Sequence, residues 1–223
     1  QDESVIINVK SVGVNFPDGL LVQGKYQLKP DTPFIPGMEV AGEIVKIGPN
    51  VSSLKIGDRV AALSQLSGYA EQAVIQEKSV FKIPSKMSFD DSCALLCAYG
   101  TSHYALKQRA NLKKNELLVV LGASGSTGIA AIQIGKIMGA KVIAVSSNSE
   151  KQKIAKDNGA DISIGYDNLK EELKSISNGK GIDVIFDPVG GDIFDTLAKI
   201  DLTKSDALFV SCTALPVLSI IKD

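Results

Sequence analysis

A glycine-rich turn carries the clearest chemical signal in the sequence. Gly122, Gly125 and Gly128 stand three residues apart in GASGSTG, after the apolar run LLVVL (117–121) and before the apolar stretch IAAIQIGKIMGAK. A turn of this kind reverses the chain, lets the backbone approach a pyrophosphate, and presents the amides of the following helix to negative charge. A turn without a ligand is the alternative, and the flanking strand and helix favour a dinucleotide site. The predicted cofactor-binding residues here are Gly122, Ala123, Ser124, Gly125, Ser126, Thr127 and Gly128.

The end of the next predicted strand, KVIAV (141–145), indicates which dinucleotide is bound. An NAD site usually places a carboxylate there to hold the ribose 2′-hydroxyl, whereas this chain has SSNSEK. Ser146, Ser147 and Lys151 offer hydrogen bonds and positive charge that suit a 2′-phosphate, so NADPH is predicted over NADH. Glu150 lies in the same turn, where an acid commonly stabilises a helix start. A solvated surface lysine is the alternative for Lys151.

The pattern of apolar residues changes near residue 95, and this change predicts two domains, residues 1–94 and 95–223. In the first, short runs rich in Val and Ile are separated by Gly, Pro, Asn and Asp, a spacing typical of short strands in an antiparallel, barrel-like β domain. These runs are VIINV, EVAGEIVKI, DRVAAL, YAEQAVI and VFKI. A mostly apolar segment with helical features, residues 90–109, follows them.

In the second part of the chain, buried β runs alternate with helical stretches. This succession of βαβ units predicts an α/β fold with a doubly wound parallel sheet, covered by helices on both faces. The predicted strands are 117–121, 141–145, 161–164, 183–186 and 207–211, and the predicted helices are 126–139, 149–158, 167–177 and 191–199.

The composition argues against several classes of function. The 223 residues include 24 Lys and Arg against 25 Asp and Glu, so a net charge of −1 supplies no field for nucleic acid or an anionic membrane. The longest apolar run, CALLCAY (93–99), has seven residues, against about 18 for a membrane span. The 3 cysteines suggest neither a disulfide framework nor a structural zinc site, and they favour the cytoplasm or another reducing compartment. Cys93 and Cys97 are expected to be buried on one helix face.

Seven stretches of the chain, taken in order, resemble a known family. They are VGVNFPDGLLVQGKY, PFIPGMEVAGEIVKIGPNVSSLKIGDRV, GYAEQAVI, YGTSHYAL, LLVVLGASGSTGIAAIQIGK, NGADISIGY and DVIFDPVGGDIF. Together they resemble the quinone oxidoreductase (zeta-crystallin-like), zinc-free branch of the medium-chain dehydrogenase/reductase superfamily. The resemblance implies a GroES-like β-barrel catalytic domain joined to a Rossmann domain, with NADPH bound in the cleft between them. It also implies that both domains are incomplete and that the fold is truncated at both ends.

The resemblance implies that no metal is bound. Zinc-dependent relatives carry a cysteine where this chain has Asn15, and a histidine where it has Met38, directly before Glu39. The single histidine, His103, does not assemble a three-ligand site by itself. We expect His103 to be a packing or surface residue, and Met38 and Glu39 to serve packing and local hydrogen bonding.

Asn15 and Tyr26 are the catalytic residues that the resemblance implies, since family members place polar groups there beside the nicotinamide and the quinone pocket. An amide or a phenol can hydrogen-bond a carbonyl oxygen as hydride adds, and a tyrosine can deliver a proton. A loop aromatic that covers the core is the alternative for Tyr26. Leu20 stands where some members have a second tyrosine, which makes the pocket more apolar and leaves the acceptor preference open.

Four further positions match cofactor contacts of the family. Thr101 corresponds to a residue near the phosphates or the carboxamide, with a helix-start cap as the alternative. Tyr166 corresponds to a tyrosine that packs near the adenosine 2′-phosphate, with an ordinary turn aromatic as the alternative. Asp187 and Val189 belong to DPVGG, the loop that borders the nicotinamide ribose in relatives, although Asp187 would also serve to cap the next helix. Ser126 and Thr127 depart from the family's GASGGVG.

The leading hypothesis is a zinc-independent, NADPH-dependent oxidoreductase that transfers hydride to a quinone or an α,β-unsaturated carbonyl compound. An alkenal or enoyl-thioester reductase of the same superfamily is the alternative for the acceptor. A non-catalytic NADPH-binding structural or regulatory protein is the alternative from a different class. The expected partner is a small-molecule carbonyl or quinone substrate, with no nucleic acid and no membrane, and a homodimer stays open.

Overall fold

The structure is a computed structural model, and it describes residues 2–193, 197 and 208–211. The chain divides into two compact units, of which the first extends to Cys97 and the second begins at Ala98. The predicted domain boundary between residues 94 and 95 falls three residues before this division. Among the described residues, no helix has the length and apolar character needed to span a membrane.

The first unit is built on five antiparallel strands. They are β1 (Ser4–Gly13), β2 (Glu39–Ile47), β3 (Arg59–Leu63), β4 (Gln72–Gln76) and β5 (Val80–Lys82), in the order β4-β1-β2-β3-β5. A 3-10 turn of three residues, Glu77–Ser79, joins β4 to β5, although these strands lie at opposite ends of the order. Such a connection spans at most about 14 Å, against about 19 Å across a flat sheet of this width. The sheet therefore curls, and the predicted barrel-like domain is confirmed.

Alternating side chains fill the core of this first unit. Val5 and Ile7 on β1 are fully buried and pack with Val40 and Ile44 of β2, while Ala41 is buried on the other face of β2, against Ala61 and Cys93. The predicted strand YAEQAVI is too long, because β4 begins only at Gln72 and leaves Tyr69, Ala70 and Glu71 in the preceding loop.

Two helices complete the first half of the chain. The first of them, α1 (Phe16–Val22), was not predicted, although Asn15 before it, Pro17 in its first turn and Asp18 at its third position are start signals. The predicted helical segment 90–109 is confirmed as α2 (Phe89–His103), which continues in a π-helical turn, Tyr104–Arg109.

The second unit contains the parallel sheet. Its strands are β6 (Leu117–Leu121), β7 (Lys141–Val145), β8 (Ile162–Ile164), β9 (Val184–Asp187) and β10 (Leu208–Ser211). The helices that the structure describes over their full length in this unit are α3 (Ser126–Ile137), α4 (Ser149–Asp157) and α5 (Leu169–Ile176). The described strands lie within one residue of their predicted ends and these helices within two, while most of the predicted helix 191–199 lies outside the described residues.

The strand order β10-β9-β6-β7-β8 is that of a doubly wound fold. From β6 the chain proceeds through β7 to β8 in one direction, and then returns to place β9 and β10 on the other side of β6. The point of reversal lies between β6 and β9, where ligands bind at the carboxyl ends of the strands. The glycine turn follows β6 and the DPVGG loop follows β9, so both flank this point.

Both faces of the parallel sheet are buried, which explains the continuous apolar run LLVVL. Leu118 and Val120 belong to one core cluster, to which α3 contributes Ala131 and Ile132. Val119 and Leu121 belong to another, to which α5 contributes Leu169 and Leu173. Helices therefore cover the sheet on both sides, and the predicted Rossmann architecture is confirmed.

Candidate functional site

The glycine turn leads directly from β6 into α3. Gly125 occupies the N-cap position in extended conformation, so Ser126, Thr127 and Gly128 form the first helical turn. Gly125 and Ser126 are exposed, Ser124 and Thr127 are half-buried, and Ala123 is fully buried. The first amides of a helix lack partners within the helix, so this turn presents N–H groups and the positive end of α3 to a bound anion.

The three glycines of the turn serve different purposes. Gly122 has a φ of +56°, which L residues rarely adopt, and its carbonyl accepts the Gly125 N–H at 3.0 Å. A Cβ on Gly128 would overlap that same carbonyl oxygen and lie 2.8 Å from the Cα of Ala123. A Cβ on Gly125 would have only an ordinary contact of 3.4 Å. Gly122 and Gly128 are therefore required by the fold, and Gly125 leaves open space for a ligand.

Tyr166 reaches the glycine turn from the loop after β8. Its hydroxyl oxygen accepts the backbone N–H of Gly122 at 3.1 Å. Burial raises the pKa of this phenol, the Gly122 hydrogen bond lowers it, and the nearby Asp187 carboxylate raises it. The resemblance implied a position near the 2′-phosphate of the cofactor, whereas the Tyr166 hydroxyl is hydrogen-bonded to the turn that would hold the pyrophosphate.

The end of β7 carries the residues predicted to choose the cofactor. Ser146 is buried and its hydroxyl has no hydrogen-bond partner in the protein. Ser147 and Lys151 are exposed, and Lys151 Nζ lies 3.4 Å from Ser147 Oγ. Asn148 was not predicted to have a role here, and its side-chain oxygen accepts the Lys151 N–H at 2.9 Å and caps α4. Asn followed by Ser-Glu at a helix start was the available signal.

The loop after β9 is held by Asp187. Its Oδ1 accepts the N–H groups of Val189 and Gly190, both at 2.8 Å, while Oδ2 is buried without a partner. Val189 is 47% exposed. A Cβ on Gly122 would lie only 2.9 Å from the Cγ2 atom of Val189. This loop and the glycine turn therefore lie against each other at the point where the strand order reverses.

Thr101 lies inside α2, two residues before its end, and is buried. It therefore does not cap a helix start, which was the alternative for this residue. The adjacent Ser102 is fully buried and donates its hydroxyl hydrogen bond to the Thr127 carbonyl at 2.9 Å. Ser102 thus ties this helix to the first turn of α3.

These features fit a dinucleotide. Two buried polar atoms, Ser146 Oγ and Asp187 Oδ2, have no partner within the protein, and such groups are normally satisfied by water or a ligand. They belong to two strand ends of the sheet, on either side of the glycine turn that follows β6. Open space at Gly125 allows close backbone approach.

The first unit holds a buried polar cluster around the start of α1. Asn15 Nδ2 donates to Glu39 Oε1 at 2.9 Å, and Asn15 N–H donates to Asp18 Oδ2 at 2.8 Å. Asp18 Oδ2 also accepts the Tyr69 hydroxyl at 2.9 Å, while its Oδ1 is buried without a partner. Burial and Asp18 raise the pKa of Tyr69 to about 12. Asn15 was predicted from the sequence as a site residue, whereas Asp18 and Tyr69 were not.

Tyr26 belongs to the same region of the first unit and is half-buried. Burial raises the pKa of its phenol, and the nearby Cys97 and Asp18 raise it further. Tyr26 and Asn15 are therefore both neighbours of Asp18. At neutral pH the phenol is protonated and can donate a hydrogen bond.

Cys93, Cys97 and His103 show no feature of a nucleophile or a metal site. Cys93 is buried and Cys97 half-buried, and burial with the Glu39 carboxylate raises the pKa of each thiol to about 12. His103 is exposed on α2. Within the part of the chain that the structure describes, no group of three or more His, Cys, Asp or Glu residues is arranged to hold a metal ion.

Comparison with known proteins identifies both halves of the chain. Residues 1–85 match the alcohol dehydrogenase GroES-like domain, and residues 126–216 match the zinc-binding dehydrogenase family. The chain is 41% identical over 199 residues to a quinone oxidoreductase-like protein 2 homolog of Nematostella vectensis, covering 87% of this chain and 54% of that protein. It thus spans about half the length of this curated relative.

Solved structures show the same relationship. A probable oxidoreductase from Mycobacterium abscessus superposes with a TM-score of 0.87 at 35% identity, covering 98% of this chain and 68% of that one. The Escherichia coli quinone oxidoreductase complexed with NADPH superposes with a TM-score of 0.86 at 31% identity, covering 89% and 62%. These matches agree with the curled β domain, the glycine turn at the reversal of the doubly wound sheet and the polar cluster around Asn15. The chain therefore belongs to the quinone oxidoreductase-like family of the medium-chain dehydrogenase/reductase superfamily.

Proposed function

We propose that the protein is a zinc-independent, NADPH-dependent oxidoreductase that reduces a quinone or an α,β-unsaturated carbonyl compound. One observation carries the proposal: the glycine turn with its free helix amides lies where the strand order reverses, with unpartnered buried polar atoms at neighbouring strand ends. A related Escherichia coli quinone oxidoreductase, 31% identical, has been solved with NADPH. Because the chain spans only part of its relatives, the proposal concerns the whole protein.

The choice of NADPH over NADH rests on the end of β7. No carboxylate follows this strand directly, and the buried hydroxyl of Ser146 lacks a partner. Ser147 adds a hydroxyl and Lys151 adds a cation, and Lys151 Nζ lies 3.4 Å from Ser147 Oγ. A 2′-phosphate would gain charge-assisted hydrogen bonds from this set, whereas a ribose hydroxyl would lack its usual carboxylate partner.

The residues of the first unit would act on the acceptor. NADPH, when bound, supplies the hydride. Asn15 has a second amide N–H beyond the one given to Glu39, and it would donate this to the acceptor's carbonyl oxygen. Tyr26, whose raised pKa keeps the phenol protonated, would donate a hydrogen bond and a proton at the same oxygen.

Zinc independence is supported by the chemistry of the side chains. An asparagine occupies the position of a cysteine ligand in zinc-dependent relatives, and its amide is engaged with Glu39. Met38 occupies the position of the histidine ligand. Although one matched family is described as zinc-binding, this donor set favours an organic hydrogen-bonding site over a cation site. Metal analysis of the purified protein should find less than one zinc per chain, and a strong chelator should leave activity unchanged.

The full-length protein tests the proposal directly. It is mixed with NADPH and a panel of quinones and enals, and the loss of NADPH absorbance is followed, while calorimetry measures NADPH binding independently. Oxidation of NADPH by at least one acceptor supports the proposal. NADPH binding without turnover on any acceptor refutes it and favours a structural or regulatory nucleotide-binding protein. Consumption of enals or enoyl thioesters but not quinones assigns the alternative acceptor class.

A further inference from the structure

The carboxylate of Glu39 joins three separate elements of the first unit. Glu39 begins β2 and is only 3% exposed. Its Oε1 accepts from Asn15 Nδ2 at 2.9 Å, and its Oε2 accepts the backbone N–H of Cys97 in α2 at 2.8 Å. Both oxygens are therefore engaged, one at the start of α1 and one on α2, so the carboxylate has little freedom to move.

Gly13 is what allows this side chain to take its path. Gly13 is paired with Glu39 in the β1–β2 register. A Cβ at position 13 would overlap Glu39 Oε1 and lie 2.6 Å from its Cδ. The φ of Gly13 is not in the left-handed region, so the glycine is needed for space and not for backbone conformation. Any other residue at position 13 would displace the carboxylate.

The contact with Glu39 also fixes which way the amide of Asn15 faces. An ionised carboxylate only accepts hydrogen bonds, so the Asn15 atom that faces it must be the nitrogen. The backbone N–H of Asn15 is held separately by Asp18 at 2.8 Å. The side chain is thus left with one further amide N–H on the side away from Glu39.

We propose that Glu39 is a positioning residue that orients the amide of Asn15 toward the acceptor, and that Gly13 provides the space for it. This inference rests on the proposed function. Burial raises the pKa of Glu39, while the hydrogen bonds from Asn15 and Cys97 lower it. A carboxylate held in this environment is used for its two acceptor oxygens, a requirement that glutamine meets only in part, because its amide has one oxygen for two N–H donors.

A double-mutant cycle in the full-length protein tests the coupling. Glu39→Gln should lower kcat about tenfold and leave KM for NADPH within about twofold, since it disturbs a charge-assisted hydrogen bond outside the nucleotide site. If Glu39 acts through Asn15, Glu39→Gln should have little further effect in an Asn15→Ala background. If the effects of Glu39→Gln and Asn15→Ala on kcat multiply in the double variant, the inference is overturned. Glu43→Gln, four residues along the same strand, is the control and should retain activity.

The role of Gly13 is tested with a matched pair. Gly13→Ala should reproduce the kinetic effect of Glu39→Gln, because the methyl group displaces the carboxylate. Gly19→Ala places the same methyl on α1, where a Cβ has no atom within 4 Å, and should leave kcat unchanged. Equal kcat for the two variants would contradict the inference.

A readout without turnover separates this inference from the proposed function. In ¹⁵N-labelled protein, the Asn15 side-chain amide, assigned by its loss in Asn15→Ala, should have one proton shifted downfield by the carboxylate. Glu39→Gln should move that resonance and Glu43→Gln should not. An unmoved resonance in Glu39→Gln overturns the inference, even in an active enzyme. If Glu39→Gln moves the resonance but the wild-type protein is inactive on every acceptor, the contact between Glu39 and the Asn15 amide is supported while the proposed function fails.

Discussion

Replacing Gly128 and Gly125 separately with alanine should separate folding from nucleotide binding. The two residues look equivalent in GASGSTG, but a methyl on Gly128 would overlap the Gly122 carbonyl oxygen and approach the Cα and carbonyl carbon of Ala123 within 2.8 and 2.9 Å. All of these are backbone atoms, which do not rotate away. A methyl on Gly125 would meet a single atom at 3.4 Å.

The expected magnitude follows from two opposing contributions. Overpacking of this kind costs up to about 3 kcal/mol, and exchange of glycine for alanine within a helix returns about 1 kcal/mol. Gly128→Ala should therefore lower the free energy of unfolding by about 2 kcal/mol, which for a chain of this length lowers Tm by about 4–8 °C. Gly125→Ala should stay within about 0.5 kcal/mol of the wild type.

Thermal unfolding followed by circular dichroism measures the first effect, and NADPH titration by calorimetry measures the second. Gly125→Ala should unfold like the wild type yet bind NADPH more weakly, because Gly125 is the exposed N-cap of α3. Gly128→Ala should be impaired in both. The reasoning is refuted if Gly128→Ala unfolds like the wild type, or if Gly125→Ala loses as much stability as Gly128→Ala.

Three further outcomes are expected. Lys151→Glu should weaken NADPH binding at least tenfold more than NADH binding, an effect of about 1.4 kcal/mol, and equal losses in titrations would exclude contact with the 2′-phosphate. Tyr166→Phe removes the acceptor of the Gly122 N–H and should lower NADPH affinity while shifting Tm by no more than about 4 °C; unchanged affinity would show that the contact is not needed for binding. Burial raises the pKa of Glu39. Glu39 therefore contributes fully to stability below the pKa that it has in the unfolded chain, and this contribution is lost as pH rises through its pKa in the folded protein. As pH rises from 4 to 7, the free energy of unfolding of the wild type, measured with urea, should fall relative to that of Glu39→Gln. The opposite trend would contradict the raised pKa of Glu39.

The parallel sheet illustrates how much the sequence reveals by itself. LLVVL, KVIAV and the glycine turn predict β6, β7 and the start of α3 because burial on both faces demands continuous apolar runs, and a tight turn demands glycine. The same local logic located the strands of the curled β domain. It failed at α1, whose seven residues are too few to show a helical apolar period despite their start signals, and at Tyr69–Glu71, which precede the start of β4.

The sequence by itself determined the two kinds of domain, the glycine turn after β6 and the lack of a carboxylate directly after β7, since each depends on a few neighbouring residues. Only the tertiary structure decided which glycine tolerates a methyl group, where Tyr166 contacts the turn, and how Asn15 is held. The Asn15–Glu39 hydrogen bond joins residues 24 apart, Glu39 to Cys97 joins residues 58 apart, and Tyr166 to Gly122 joins residues 44 apart. Such contacts depend on strand register and on the pairing of Gly13 with Glu39, which local patterns of apolar and polar residues do not encode.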